Sequence, residues 1–172
     1  MLTPLQHLAY FAIGVTFFSA AVLLGGHLWS RGYADRPRAR IFGSALLLNL
    51  SLIQLLHYLA LADQLDIWSS PAYVGNLFCT GPLFFFFCRA VLRRDQGEPT
   101  WAWAAALPPV VGAAFPGPVM FFVSFVIGST YFAALALQLA GLRSQRRRFA
   151  AEMVSLSSLF VIAGMTLVLG LL

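Results

Sequence analysis

Long apolar stretches alternate with short polar segments along the whole chain. The apolar stretches are six in number and lie at residues 8–29, 41–61, 71–92, 100–115, 119–142 and 151–172. A run of about 20 apolar residues spans the hydrocarbon core of a bilayer as a helix. The pattern therefore predicts an all-α fold, with one polytopic bundle of six transmembrane helices over residues 1–172.

The fourth stretch differs from the others because it is short and contains Pro108 and Pro109. A proline within a helix lacks an N–H donor and crowds the preceding turn, so we expect a short, proline-broken helix here. The segment either crosses the membrane at a kinked place or enters partway and returns. A turn is expected at Gly117, which lies between two prolines.

The polar segments alternate in charge. Arginines concentrate at 31–40, 89–94 and 143–148, whereas the intervening segments carry Asp63 and Asp66 or, at 116–118, no charge. Cytoplasmic loops of membrane proteins collect Arg and Lys. This alternation predicts an N-terminus outside and three arginine-rich loops in the cytoplasm.

Composition agrees with a membrane protein. Hydrophobic residues make up 60% of the chain and charged residues only 10%, against about 25% charged residues in a soluble domain. The net charge is +5 and all 11 basic side chains are arginine. Because the arginines lie in or beside the predicted cytoplasmic loops, we expect them to set the orientation of the protein in the membrane and to contact anionic lipid headgroups. The bilayer is thus the expected partner, and we expect no direct nucleic-acid binding.

Two packing features are predicted for the later helices. Pro82 lies inside the third helix and predicts a kink near Gly81 and Pro82. Ser124 and Gly128 form a step of small residues that allows close packing of the fifth helix. This step serves either contacts within the domain or formation of a homodimer.

Polar residues inside hydrocarbon are costly unless they are paired, so they indicate function by default. The second helix contains Asn49, Gln54 and His57, and the third contains Asn76 and Thr80 at i and i+4. These five residues are the candidate ligand-binding site, a polar pocket between the two helices in the outer half of the membrane. The alternative is that they form structural hydrogen bonds between helices.

Histidines and carboxylates do not form a metal-binding pattern. His27 and His57 are predicted at opposite membrane faces, about 20 Å apart. A rim site built from His7, His57, Asp63 and Asp66 would lack the close ligand spacing that metal sites use. No nucleophile–base pair or carboxylate pair has a usable spacing either. We therefore expect no metal, no cofactor and no enzymatic activity.

The third helix and its surroundings contain a recognisable pattern. Pro71 is followed by Gly-Pro-Leu, four phenylalanines and a basic residue within 81–92; Leu107 and Pro108 come next, and an arginine-rich segment closes the pattern at 138–148. These features resemble the N-terminal multi-helix membrane domain that precedes AraC-type helix-turn-helix modules. The resemblance covers most of the chain.

The resemblance implies a sensory domain in a bacterial inner membrane, which relays an envelope signal to a cytoplasmic transcription-regulatory output. Two departures are visible. Ala105 stands where family members often have histidine, and the helix-turn-helix is absent from this chain. Since six crossings from an outside N-terminus end outside, a seventh helix is implied. We expect either a truncated sensory domain or a stand-alone relative that acts through a cytoplasmic regulatory partner.

A small transporter or permease-like subunit is the alternative function. Asn49, Gln54, His57 and Asn76 would then line a path, and the break at Pro108 would form a discontinuous helix. Against this alternative, no inverted repeat is visible and no acidic residue lies within a predicted span to couple protons.

Overall fold

The computed structural model describes residues 4–29, 31, 36–62, 64–92 and 102–141. Within them, 90% of residues are helical and no strand occurs. The helices are α1 (Pro4–Trp29), α2 (Pro37–Leu61), α3 (Pro71–Leu92), α4 (Leu107–Ala114) and α5 (Pro118–Gly141), and a 3₁₀ helix at Ala102–Ala106 precedes α4. The prediction of an all-α fold is confirmed for this part of the chain.

Four of these helices are long and apolar enough to cross a membrane, namely α1, α2, α3 and α5. Their bounds agree closely with four of the six predicted spans, because in a bilayer a run of about 20 apolar residues satisfies its own backbone polar groups by forming a helix. The predicted sixth span, 151–172, lies outside the described residues. The described residues thus contain four helices long enough to cross a membrane, and the count of six spans stays a prediction.

The fourth stretch forms two short helices that meet at Leu107. Pro108 and Pro109 lie in the first turn of α4, where the missing N–H groups have no intrahelical partner to lose. A single helix through both prolines would lack two consecutive hydrogen bonds, so the break comes just before them. The 3₁₀ residues rise about 10 Å and α4 about 12 Å. Together they fall short of the roughly 30 Å hydrocarbon core.

Neighbouring helices run in alternating directions. Tyr10 of α1 donates a hydrogen bond to the carbonyl of Leu61 near the end of α2, so α1 and α2 are antiparallel. The rings of Phe42 and Phe86 stack at 5.3 Å between α2 and α3, and His57 contacts Tyr73. These pairs run in opposite sequence order, so α2 and α3 are antiparallel as well.

The last two helices pack on α3, which lies at the centre of the bundle. A Cβ on Gly75 would meet Ala113, and the ring of Phe78 lies against Gly112; α4 therefore runs antiparallel to α3. The 3₁₀ helix continues along α3, since Ala105 belongs to the buried cluster of Phe85, Phe86 and Leu135. In contrast, α5 runs parallel to α3, as the pairs Trp68–Phe121, Gly81–Gly128 and Phe84–Phe132 show.

These directions give the bundle two chemically different ends. At one end, here called the arginine end, lie the described arginines Arg31, Arg36, Arg38, Arg40 and Arg89. The opposite end contains Asp66 and is called the aspartate end. Every described arginine is thus separated along the bundle axis from the one acidic residue in the described part of the chain. For the described residues this agrees with the alternation predicted from the sequence, whereas the arginines at 93–94 and 143–148 lie outside the described residues.

The small-residue step of α5 is used inside the domain. A Cβ on Gly81 would lie 3.1 Å from Cα of Gly128, and Ser124 is buried. The absence of a side chain at Gly81 lets the backbones of α3 and α5 approach each other closely at Gly128. Close packing of this step on a neighbouring helix is confirmed, and the homodimer stays a prediction. The helix α3 continues through Pro82, and the kink there stays a prediction.

Candidate functional site

The polar residues of α2 and α3 meet at the crossing of the two helices. Asn49 is 6% exposed, and its side-chain amide donates to the backbone carbonyl of Asn76 at 3.1 Å and to Oγ1 of Thr80 at 3.0 Å. The Thr80 hydroxyl also donates to the carbonyl of Asn76 at 3.3 Å. Because i and i+4 positions share a helix face, Asn76 and Thr80 present two acceptors to one donor group. We call these three residues the Asn49 contact.

Asn76 takes part through its backbone. Its side-chain amide donates to the carbonyl of Ala72, one turn earlier in the same helix, at 2.7 Å. The sequence correctly paired Asn76 with Thr80, but hydropathy patterns do not distinguish a backbone acceptor from a side-chain acceptor.

His57 forms a second polar contact nearer the aspartate end. Its Nε2 lies 2.9 Å from the hydroxyl oxygen of Tyr73, and the two ring centroids are 5.2 Å apart. Which group donates depends on the imidazole tautomer. Tyr73 is buried, so the hydroxyl gains a partner that water cannot supply there.

Gln54 belongs to neither contact. Its side chain is half-buried and has no hydrogen-bond partner among the described residues. Of the five residues predicted as a site, the structure therefore joins Asn49, Asn76 and Thr80 directly, places His57 in a separate contact, and leaves Gln54 apart. Spacing put Gln54 within a broad polar stripe, but the face buried against α3 is narrower than that stripe.

Tyr73 was missed by the sequence analysis, although a signal was present. It lies three residues before Asn76 and seven before Thr80, so all three positions fall on one helix face. Tyrosine is amphipathic, so a hydropathy pattern does not distinguish it from the apolar residues. Its position in register with two polar residues was the informative feature.

An open cleft of about 480 Å³ lies at the aspartate end, beside His57. Ile13 of α1, the last turn of α2 and the loop between α2 and α3 form its walls. The loop contributes Leu65, Asp66, Ile67 and Trp68. We call this space the Asp66 cleft; it brings a carboxylate, an imidazole and an indole to one apolar hollow.

The loop that forms one wall of the cleft is held by local hydrogen bonds. The carboxylate of Asp66 accepts the backbone N–H of Trp68 at 3.0 Å and the hydroxyl of Ser69 at 2.7 Å. Ser70 then caps α3, since its Oγ accepts the N–H of Tyr73 at 3.3 Å and Pro71 occupies the first helical position. Such an Asp-centred turn orders a short loop without help from other elements.

At the arginine end, α1 and α2 are joined closely. Nε2–H of His27 donates to the carbonyl of Arg40 at 3.1 Å, and the guanidinium of Arg40 donates to the carbonyl of Leu28. A Cβ on Gly43 would lie 2.6 Å from His27 Nε2, so a larger residue at this position would displace the imidazole. On the other side of the bundle, Arg89 of α3 reaches within 3.5 Å of the Gln138 side-chain oxygen on α5.

Residues with metal-binding or nucleophilic side chains are dispersed. Within the described ranges, no three His, Cys, Asp or Glu residues lie close enough to hold a metal ion. His57 and Asp66 both line the cleft, whereas Asp63 lies outside the described residues. The thiols of Cys79 and Cys88 are free, as expected for positions nine residues apart on one helix.

The chain matches no protein-family model, no curated protein and no solved structure.

Proposed function

We propose that the chain is a membrane-embedded sensory domain of a bacterial inner membrane, which receives a signal at the aspartate end and relays it through the arginine end to a transcription-regulatory output. The observation that carries the proposal is the course of α2. This helix lines the Asp66 cleft with its last turn and contacts α1 through Arg40 in its first turn. A displacement of α2 at the cleft would therefore also move its first turn, where it contacts α1.

The orientation of the domain follows from its charge. Arginines at membrane-flanking positions stay in the cytoplasm, so the arginine end is cytoplasmic and the cleft opens toward the outer leaflet. An N-terminus outside is consistent with α1 beginning at the aspartate end, as the contact of Tyr10 with Leu61 requires. The resemblance to the membrane domain of AraC-type regulators supplies the nature of the output.

The mechanism we propose is a rearrangement of α2 against α3 between two states. The Asn49 contact joins these helices near their middle and acts as the pivot, because hydrogen bonds between membrane helices are short-range and directional. A ligand in the cleft shifts the equilibrium only by the difference of its affinities for the two states. A tenfold difference in affinity shifts the equilibrium by about 1.4 kcal/mol.

A small transporter subunit is the second candidate function. The feature that favours it is the pair of short helices around Leu107, since transporters form substrate sites at discontinuous helices. The polar groups of the Asn49 contact satisfy one another across the α2–α3 crossing, however, and this favours a structural joint over an open path.

The two functions are separated by a genetic experiment on the complete gene. A deletion strain is complemented with the wild type, with His57→Phe or with Gln64→Ala, and transcript levels are measured during envelope stress at matched protein abundance. Gln64 is the control because it is exposed in the same loop region and does not line the cleft. The sensory function predicts a set of transcripts that responds in the wild type and in Gln64→Ala but not in His57→Phe.

Two results would contradict the sensory function. The first is a deletion strain whose transcripts respond to envelope stress as in the parent strain. The second is a defect in solute accumulation that precedes any transcript change, which would instead support the transporter.

A further inference from the structure

The Asp66 cleft has the size of a small-molecule site. Its volume of about 480 Å³ falls within the roughly 300–1,000 Å³ typical of ligand pockets. Most of its wall is aliphatic, with Ile13, Leu61 and Ile67 among the lining residues. Such a wall favours a ligand with a substantial apolar part, which in a membrane protein is able to arrive from the outer leaflet.

The mouth of the cleft is negatively charged. Asp66 is exposed and is the one acidic residue within the described ranges. Its carboxylate accepts two hydrogen bonds from the loop, from Trp68 and Ser69, and an ionised carboxylate has about four acceptor positions. The loop thus fixes the carboxylate in place and leaves it with acceptor capacity for a cation.

Two aromatic groups complete the recognition surface. Trp68 lines the cleft, and its ring is supported from the side by Phe121, at a centroid distance of 5.5 Å. Indole is the strongest of the protein aromatic rings in binding cations. His57, whose Nε2 pairs with the hydroxyl of Tyr73, also lines the cleft.

We infer that the Asp66 cleft binds an amphiphilic organic ammonium ion. The ammonium group lies at Asp66 and Trp68, and the alkyl chain lies against the aliphatic wall formed with Ile13 and Leu61. The inference deepens the proposed sensory function and rests on it for its biological meaning, while binding itself is measurable without any transcriptional output. The ammonium comes either from a free alkylamine or from the ethanolamine headgroup of a lipid.

The test uses the chain in nanodiscs of a neutral glycolipid, which has no ammonium group, with hexylammonium as the probe and hexanol as the uncharged comparison. Replacing the other tryptophans by phenylalanine leaves Trp68 as the single indole reporter; these are Trp29, Trp101 and Trp103. We expect a saturable change of Trp68 emission, with hexylammonium binding about tenfold more tightly than hexanol. Nanodiscs without protein correct for partition of the probe into lipid.

Asp66→Asn isolates the role of the charge. Asparagine keeps a side-chain oxygen for the N–H of Trp68, so the loop retains its turn. The variant should bind hexylammonium about two- to fivefold more weakly, the range expected for an exposed ion pair, while the contact with Trp68 remains. Its affinity for hexanol should be unchanged, which also reports that the cleft is intact. Gln64→Ala, outside the cleft, should bind both probes as the wild type does.

A change of lipid composition distinguishes the two possible sources of the ammonium group. If phosphatidylethanolamine in the nanodisc raises the apparent Kd for hexylammonium, the headgroup occupies the cleft; if it has no effect, a free amine is the ligand. Equal affinities for hexylammonium and hexanol, a non-saturable signal, or wild-type hexylammonium binding by Asp66→Asn would each overturn the inference. A transcript response that fails in the genetic experiment would refute the sensory function and leave this binding result standing.

Discussion

Removal of the Asn49 contact provides the most direct test of how α2 and α3 are held together. Asn49→Leu eliminates both donated hydrogen bonds, to the carbonyl of Asn76 and to Thr80 Oγ1. Hydrogen bonds between membrane helices contribute about 0.6 kcal/mol on average and at most about 1.7. We therefore expect Asn49→Leu to lower the free energy of unfolding by about 1–2 kcal/mol. The carbonyl of Asn76 retains the Thr80 hydroxyl as a donor at 3.3 Å, which limits the loss.

A double-mutant cycle separates the two bonds. Thr80→Val removes the side-chain acceptor with little change of shape, so the cycle with Asn49→Leu should give a coupling energy of about 0.6 kcal/mol, or roughly threefold in the equilibrium constant. Unfolding is followed by circular dichroism during titration with sodium dodecyl sulfate in mixed micelles. Ser51→Ala is the matched control. Its hydroxyl is buried on the same helix but donates to the carbonyl of Leu47 within α2.

The control should show no coupling to Thr80→Val. Zero coupling between Asn49 and Thr80, or a gain in stability on Asn49→Leu, would refute the reasoning. The polar groups would then be tolerated at the helix crossing and would not stabilise it.

Three further predictions concern packing, an unpartnered polar residue and topology. Gly81→Ala should lower the free energy of unfolding by about 1–3 kcal/mol, because its Cβ would lie 3.1 Å from the backbone of Gly128. The control Gly128→Ala, whose Cβ meets nothing within 4 Å, should be neutral or stabilising in the same titration. Gln54→Leu should change stability by less than about 0.5 kcal/mol, and a larger loss would reveal a partner for its amide. In a background without the native cysteines, a membrane-impermeant thiol reagent added outside should label a cysteine at Gln64 but not one at Ser144; the reverse result would invert the orientation.

The sequence predicted the long helices well, because their signal is carried by the length of each apolar run. The end of α2 at Leu61 and both ends of α3 agree with the structure. Bilayer thickness and the need to satisfy backbone polar groups constrain such a run strongly. Pairing of helix faces is different, because lipid and protein interior are equally apolar. No hydropathy pattern indicates that Gly112 lies against the ring of Phe78.

The candidate site was predicted in part for a related reason. Polarity identified Asn49 and Thr80, since a buried amide or hydroxyl in hydrocarbon requires a partner. The same rule selected Gln54, which has no hydrogen-bond partner in the described part of the chain, and it passed over Tyr73. The Asp66 cleft was beyond prediction because its walls come from α1, α2 and a loop. Their meeting depends on helix packing that the pattern of polar residues does not encode.

The packing of α1 bears on how the protein is made. Its principal neighbour is α2, and the two helices are tied at both ends, by Tyr10 with Leu61 and by His27 with Arg40. All of these contacts form between helices adjacent in sequence, so they are complete once the ribosome has released α2. We therefore expect the first two helices to form a hairpin that closes early in synthesis. By contrast, α3 also packs on α4 and α5, so its full set of neighbours exists only after α5 has been synthesised, and we expect final assembly of the bundle to wait for that late step.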